Sequence, residues 1–278
     1  MEPSTQPTPL EPPPRPARVH RRFDRTTRLV GEPGMLRLAD ARVIVFGLGG
    51  VGSYAVEGLV RSGVGHLTLV DFDVVCVTNL NRQLHATAST VGKAKAELMA
   101  QRCRSINPEV SVEPVVDFYR DENAGLLLEG HWDAVVDAID NIKAKLHLLN
   151  ECVSRGLQVV SSMGAAGRLD PSCIRVADLS ETSMDPFAKD VRKLLKRKHG
   201  VETNRPTGIT AVFSLEPRRQ PLSPSYDTEG FQCICPQGEN EFHSCEHRSQ
   251  IDGSVAFVTS VFGMQMAGAV VRRIAQGR

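Results

Sequence analysis

At 278 residues, with 33 Lys and Arg against 32 Asp and Glu and a formal net charge of +1, the chain is neither a polycation nor an acidic solvating polymer. Its 41% apolar content suits a sizeable core, in one large α/β domain or two small ones, and any nucleic-acid contact must come from a local patch rather than from net charge. Seven cysteines at irregular spacings, with no secretory pattern in the Pro-rich N-terminus, lead to the expectation of a reducing compartment, the cytoplasm.

Met1 to Pro16 holds seven prolines and few bulky apolar residues. Such a composition cannot bury enough surface to offset the entropy of ordering, so residues 1–20 are expected to form a disordered tail. Arg21-Arg-Phe-Asp-Arg25 opens the folded part, 21–278, and by itself reads as a solvated basic turn before a helix. Val43 to Phe46 is a short β-branched run, and Gly47, Gly49 and Gly52, with Gly50 among them, then stand in G-x-G-x-x-G spacing before a helical pattern from Ser53 to Ser62. Strand, tight turn and helix N-terminus make a cradle for phosphate. A second strand, His66 to Val70, ends in Asp71, about twenty residues past the glycines, where an acidic side chain meets ribose hydroxyls.

The glycines alone do not choose between ATP and a nicotinamide cofactor. The following segment does: Asp71, Asp73, Asn79, Arg82 and Gln83 crowd the space beyond the ribose, and an arginine there neutralises triphosphate charge but has little to do beside a nicotinamide. Lys95 stands at the start of a helix predicted over Lys93 to Arg104, which Asn107-Pro108 stops. Val110 to Val116 reads as a strand, Asp121 to Leu128 as a short helix, Asp133 to Ile139 as a strand and Lys143 to Arg155 as a helix. Asp140 and Asn141 follow that strand, and a carboxylate at the C-terminal end of a strand in an open sheet can hold Mg²⁺. Val159 to Ser162 is another strand. This alternation predicts a Rossmann-like α/β fold, a mostly parallel sheet covered by helices on both faces.

Beyond Gly167 the pattern changes. Ile174 to Asp178 is a predicted strand, and Ala188 to His199 a helix on which Lys189, Arg192, Lys193, Lys196 and Arg197 form the densest basic stretch of a nearly neutral chain. A charge run of this kind is either a solvated face or a surface that meets phosphates. Ala211 to Glu216 reads as a strand, and residues 218–240 as a long loop. Ser254 to Ile274 is apolar but too short and too rich in small residues for a membrane span, so a buried helix is expected.

These residues resemble the E1-like adenylating superfamily, which contains ThiF, MoeB and the ubiquitin-activating enzymes, from about Arg22 to the C-terminus. Val75 to His85 (VCVTNLNRQLH), Ser105 to Glu109 (SINPE), Gly164 to Pro171 (GAAGRLDP) and Asp185 to Ala188 (DPFA) are most similar to its TcdA branch of tRNA threonylcarbamoyladenosine dehydratases. The resemblance implies a single E1-like domain with a nucleotide-binding half, 21–167, and a substrate, tRNA and dimer half, 168–278. It implies ATP and Mg²⁺, with Gly47, Gly49, Gly50 and Gly52 on the phosphates, Asp71 and Asp73 toward the ribose, Asp140 on the metal, and Asn79, Gln83 and Asn141 as supporting contacts. Arg82 and Lys95, with Arg25 reaching across a homodimer interface, would stabilise departing pyrophosphate. It also implies tRNA on the basic helix, and leaves open a sulfur-transfer protein as a further partner.

The rival within the superfamily is a ThiF- or MoeB-like enzyme that activates the C-terminal glycine of a sulfur carrier. The C-x-x-C zinc pairs of that branch are missing from this chain. An NAD-dependent oxidoreductase and a nucleotide-bound scaffold without turnover are the rivals from other classes. Cys233, Cys235, Cys245 and His247 form C-x-C-x9-C-x-H, which reads as a Cys₃His zinc clip, a reactive thiol group or ordinary loop cysteines. Cys76, Cys103, Cys152 and Cys173 read as packing residues.

Overall fold

The structure is a computed structural model that describes residues 19–222 and 252–277. The predicted N-terminal tail, apart from its last two residues, and the Cys233 to His247 cluster lie outside the described residues. Among the described residues, seven strands form one sheet in the order β3-β2-β1-β4-β5-β7-β6. They are β1 (Arg42–Phe46), β2 (His66–Val70), β3 (Ser111–Val115), β4 (Ala134–Asp137), β5 (Val159–Ser162), β6 (Ile174–Asp178) and β7 (Ile209–Ser214). Six run parallel; β6 pairs antiparallel with β7 at one edge. The predicted α/β class and mostly parallel sheet are therefore observed.

Side chains alternate along each strand, and the helices follow that alternation. Val43 and Val45 face one layer with Leu67, Leu69, Val136 and Val160, under α1 (Asp24–Asp40), α2 (Gly52–Arg61), α3 (Lys95–Ile106) and α7 (Ala256–Gln276). Ile44 and Phe46 face the other with Val135, Val159 and Phe213, under α4 (Asp121–Leu127), α5 (Ile142–Arg155) and α6 (Pro186–His199). Burial on both faces is why the strands read as continuous apolar runs. α2 and α7 cross backbone to backbone: a Cβ at Gly58 would lie 2.6 Å from Ala267 Cβ, and one at Gly263 would lie 2.3 Å from Val51 O. No helix among the described residues is long and apolar enough to cross a membrane, and α7 buries Val258, Phe262, Met266 and Val270, as expected of an internal helix.

Two helix starts change, and α1 is added. The sequence pattern does not show α1 as one long helix, because Gly31 (φ 70°) and Pro33 interrupt it and divide its apolar pattern in two. α3 starts at Lys95 rather than Lys93, since Ala94 is held in an isolated bridge to Val74. α6 starts at Pro186, with Asp185 as its N-cap accepting from Ala188 N–H at 3.1 Å, the Asp-Pro arrangement that opens helices. Cys76, Cys103 and Cys152 are buried, and burial pushes the Cys103 thiol up to about 12. Cys173 departs from its expected packing role: it is half-buried and its thiol donates to Asp170 Oδ2 at 3.4 Å.

Arg219 and Gly253, on either side of residues 223–251, both meet Gly167. Arg219 N–H donates to Gly167 O at 2.9 Å, Gly167 N–H donates to Gly253 O at 2.8 Å, and Arg218 pairs with Asp252. Gly167, at φ +71°, fits this position because a Cβ there would lie 2.8 Å from Arg218 Cγ.

Candidate active site

Strand order reverses between β1 and β4, the crevice where open α/β sheets bind ligands. The glycine loop leaves β1 on one side of this crevice, and the Asp137-to-Asn141 turn leaves β4 on the other. The two are in contact: a Cβ at Gly47 (φ +84°) would lie 2.7 Å from Ala138 O, and one at Gly52 would lie 1.8 Å from Gly47 O. Gly47 and Gly52 therefore fold the loop tightly enough for α2 to begin over the crevice. Gly49 and Gly50 have other neighbours: Cβ atoms there would meet Gln83 Nε2 at 3.8 Å and Arg82 Cγ at 3.2 Å, so the Arg82 segment lies along the loop.

Asp71 fixes this loop. Its Oδ2 accepts from Leu48 N–H at 2.6 Å and its Oδ1 from Asp73 N–H at 2.8 Å. Burial pushes its carboxyl above the ordinary range, with the Lys95 ammonium opposing. Lys95, the first residue of α3 and only 5% exposed, donates to Asp73 Oδ2 at 2.7 Å. Burial works against its charge, but Asp71 and Asp73, with Asp140 behind them, outweigh burial and raise its pKa. Lys95, Asp71, Asp73 and Asp140 thus share one electrostatic site, and Asp140 itself is exposed.

The amide residues are committed to backbone. Asn79 Oδ1 accepts from Cys76 N–H at 3.0 Å and shapes the turn before Arg82. Asn141 Oδ1 caps α5, accepting from Lys143 and Ala144 N–H at 3.0 and 3.1 Å. Each keeps only its Nδ2 for a ligand. Gln83 is 7% exposed with Oε1 unpaired. Arg82 Nη1 donates to Thr78 O at 2.8 Å and to Asn81 Oδ1 at 2.9 Å, and Asn81 Nδ2 donates to Ser254 O at 2.8 Å.

Arg25 does not join this cluster within its own chain. It lies on the first turn of α1, exposed, next to Phe23, which lines a cavity with Met35, Gly63 and His66 where β2 begins. The crevice is at the other end of β2, five residues away, or roughly 16 Å at strand rise.

Beneath the Asp140 turn lies a buried network that sequence reading missed. Lys145 Nζ donates to Asp137 Oδ2 at 2.5 Å and to Ser161 Oγ at 3.2 Å, and Ser161 Oγ–H donates to the same Oδ2 at 2.6 Å. Asp137, Lys145 and Ser161 are each 0% exposed. Asp137 Oδ1 accepts from Ile139 N–H at 3.1 Å, which sets the turn that carries Asp140. The available signal was an Asp at the end of an apolar strand and a Lys eight residues on, within an otherwise apolar helix face.

The basic face of α6 also needs correction. Arg192 is half-buried and its Nη1 donates to Leu179 O at 3.3 Å and Thr182 O at 2.9 Å, as well as to Thr182 Oγ1. It ties the helix to the preceding turn. Lys189, Lys193, Lys196 and Arg197 are exposed, with Lys196 within 3.9 Å of Glu202. Asp185, the N-cap of α6, accepts from Gly164 N–H at 3.1 Å, so the helix starts beside the end of β5 and next to the crevice.

A glycine loop in G-x-G-x-x-G spacing, a lysine among carboxylates and an acidic turn across the switch point fit a nucleotide-binding enzyme of the ThiF class. The ThiF family model matches residues 23–277, and the chain belongs to that family. It is 44% identical over 260 residues to the tRNA threonylcarbamoyladenosine dehydratase of Escherichia coli strain K12, covering 91% of this chain and 93% of that protein. It is 38% identical over 255 residues to the dehydratase of the same name from Haemophilus influenzae, again covering 91% and 93%. The solved structure of the E. coli dehydratase, TcdA, in complex with ATP superposes with a TM-score of 0.79 at 36% identity, covering 92% of this chain and 95% of that one. Likeness to the molybdopterin-synthase adenylyltransferase of Salmonella typhimurium, 39% over 137 residues, covers only 49% of this chain.

Proposed function

We propose that this chain is an ATP-dependent tRNA-modifying enzyme that adenylates the carboxylate of N6-threonylcarbamoyladenosine in the tRNA anticodon loop and closes it into a ring with net loss of water. The observation that carries the reading is the convergence of Gly47 to Gly52, Arg82, Lys95 and Asp140 on one crevice, in a chain similar over nine-tenths of its length to dehydratases of that name.

A carboxylate is a poor electrophile. Attack of its oxygen on the α-phosphorus of ATP expels pyrophosphate and leaves an acyl-adenylate; attack on that acyl carbon from within the same modified base closes the ring and expels AMP, which carries the lost oxygen. The protein's part is charge and placement. The glycine loop and the N-terminus of α2 hold phosphate, Asp71 holds the loop and faces the ribose, and Lys95 and Arg82 stabilise the leaving pyrophosphate. Arg25 of the partner subunit in a homodimer would complete the set.

Mg²⁺ fits Asp140. That carboxylate is exposed at the crevice, and among the described residues no group of three or more His, Cys, Asp or Glu could hold a metal alone. One carboxylate plus phosphate oxygens and water is how Mg²⁺ is usually held; Asp140 would hold it, and the ion would supply positive charge against the phosphates. The exposed Lys189, Lys193, Lys196 and Arg197 of α6 are placed to meet tRNA phosphates.

The test is ATP conversion to AMP and pyrophosphate on tRNA carrying the threonylcarbamoyl group and on the same tRNA lacking it. Dependence on the modification, with the nucleoside lightened by one water, is the expected result. AMP formed only with a carrier ending in two glycines would overturn it in favour of sulfur-carrier activation.

A further inference from the structure

Among the described residues, Arg168 is the most enclosed arginine. It is 2% exposed, and its Nε and Nη1 are both buried without a hydrogen-bond partner. Burying a cation without hydrogen-bond partners is costly, so a donor left open in this way is a candidate to meet a ligand. Two carboxylates of this region, Asp185 and Glu216, are already engaged. Asp185 accepts from Gly164 and Ala188 N–H, and Glu216 accepts from Leu169 and Asp170 N–H and from Arg219 Nε. Asp185 feels the Arg168 charge, which opposes the upward push of burial on its carboxyl, yet no ion pair joins the two.

Its position is informative. Arg168 follows Gly167, whose N–H meets Gly253 O; the next residue, Ser254, receives Asn81 Nδ2, and Asn81 receives Arg82 Nη1. On its other side, Gly164 meets the N-cap of the basic helix α6. Along the chain, Arg168 therefore lies between the turn that meets the N-cap of α6 and the hydrogen bonds that lead through Gly253, Ser254 and Asn81 to Arg82.

We propose that Arg168 receives the substrate carboxylate, its planar fork pairing with the two carboxylate oxygens and presenting one of them to the α-phosphate. This rests on the proposed function, since it names the residue that would bind the acid being activated. A guanidinium suits the task because it binds a carboxylate in a fixed bidentate geometry and cannot lose its proton.

The experiment compares wild type, Arg168→Met and Arg168→Lys in ATP binding, Tm and AMP formation on modified tRNA. The Met variant should bind ATP as wild type does, melt no lower, and lose kcat by about 100-fold or more, as removal of a charge-assisted bidentate contact does. KM for tRNA should change little, because phosphate contacts supply that affinity, and Lys should restore about tenfold as a point charge without the fork. An unchanged kcat in the Met variant overturns the assignment. So does a fall in its Tm that Lys repairs, which would make Arg168 a structural cation. Wild type separates the two levels: no AMP on modified tRNA refutes the proposed function, whereas wild-type turnover with an unaffected Met variant refutes the Arg168 role alone.

Discussion

Lys145→Met tests whether the buried network holds the acidic turn. The substitution keeps the length of the side chain but removes an ammonium that makes two hydrogen bonds at zero exposure, and leaves the Asp137 carboxylate in place. Breaking a buried pair by removing one partner costs about 3–5 kcal/mol, because the remaining charge is uncompensated. Ser161 still donates to Asp137 Oδ2, which places the expected loss near the lower bound, about 3 kcal/mol. For a chain of this size that lowers Tm by roughly 6–12 °C. Adding Asp137→Asn should recover part of the loss, so a double-mutant cycle in urea should give a coupling of about 2 kcal/mol or more. A single-mutant loss below about 1 kcal/mol, or additive effects, would refute the claim that the pair is a stabilising clamp.

Gly52→Ala places a methyl where Gly47 O sits, 1.8 Å away; the loop must open, and ATP affinity measured by calorimetry should fall at least tenfold. His85, 6% exposed with both ring nitrogens unpaired, is held down to about 3 by burial, with Lys95 and Arg102 adding to it. Its folded pKa lies below the unfolded value of about 6.5, so the unfolded state takes the proton first and stability falls by about 1.4 kcal/mol per pH unit between about 6.5 and 3. His85→Gln should flatten that window in urea titrations at stepped pH; an unchanged slope would show that His85 does not control it. Charge reversal of Lys189, Lys193 and Arg197 together should weaken tRNA binding and reduce the slope of log affinity against log salt by roughly 0.7–0.9 for each phosphate no longer neutralised, and an unchanged slope would remove α6 from the tRNA interface.

Much of the sheet was legible because its strands are buried on both faces, and Val43 to Phe46 or Val159 to Ser162 cannot be mistaken for solvated chain. The order of strands was not, since it depends on where the chain crosses over rather than on any residue. Asp71 was found through its spacing from the glycines, but its clasp on Leu48 N–H depends on how the loop bends back. Arg192 looked like one more charge on a basic face, and only the turn of Leu179 and Thr182 beneath it reveals a tether. Arg168 and Lys145 are cations among apolar and small neighbours. Sequence gives no means of telling a buried cation from an exposed one when its partner comes from a different element, as Asp137 on β4 does for Lys145 on α5.

The meeting point at Gly167 has a consequence for how this protein can vary. Because residues 219 and 253 meet on the same glycine, a single position ties together two parts of the chain that lie far apart in sequence. Any larger residue there must take a left-handed backbone and displace Arg218, so both contacts would be lost together and the position is closed to change.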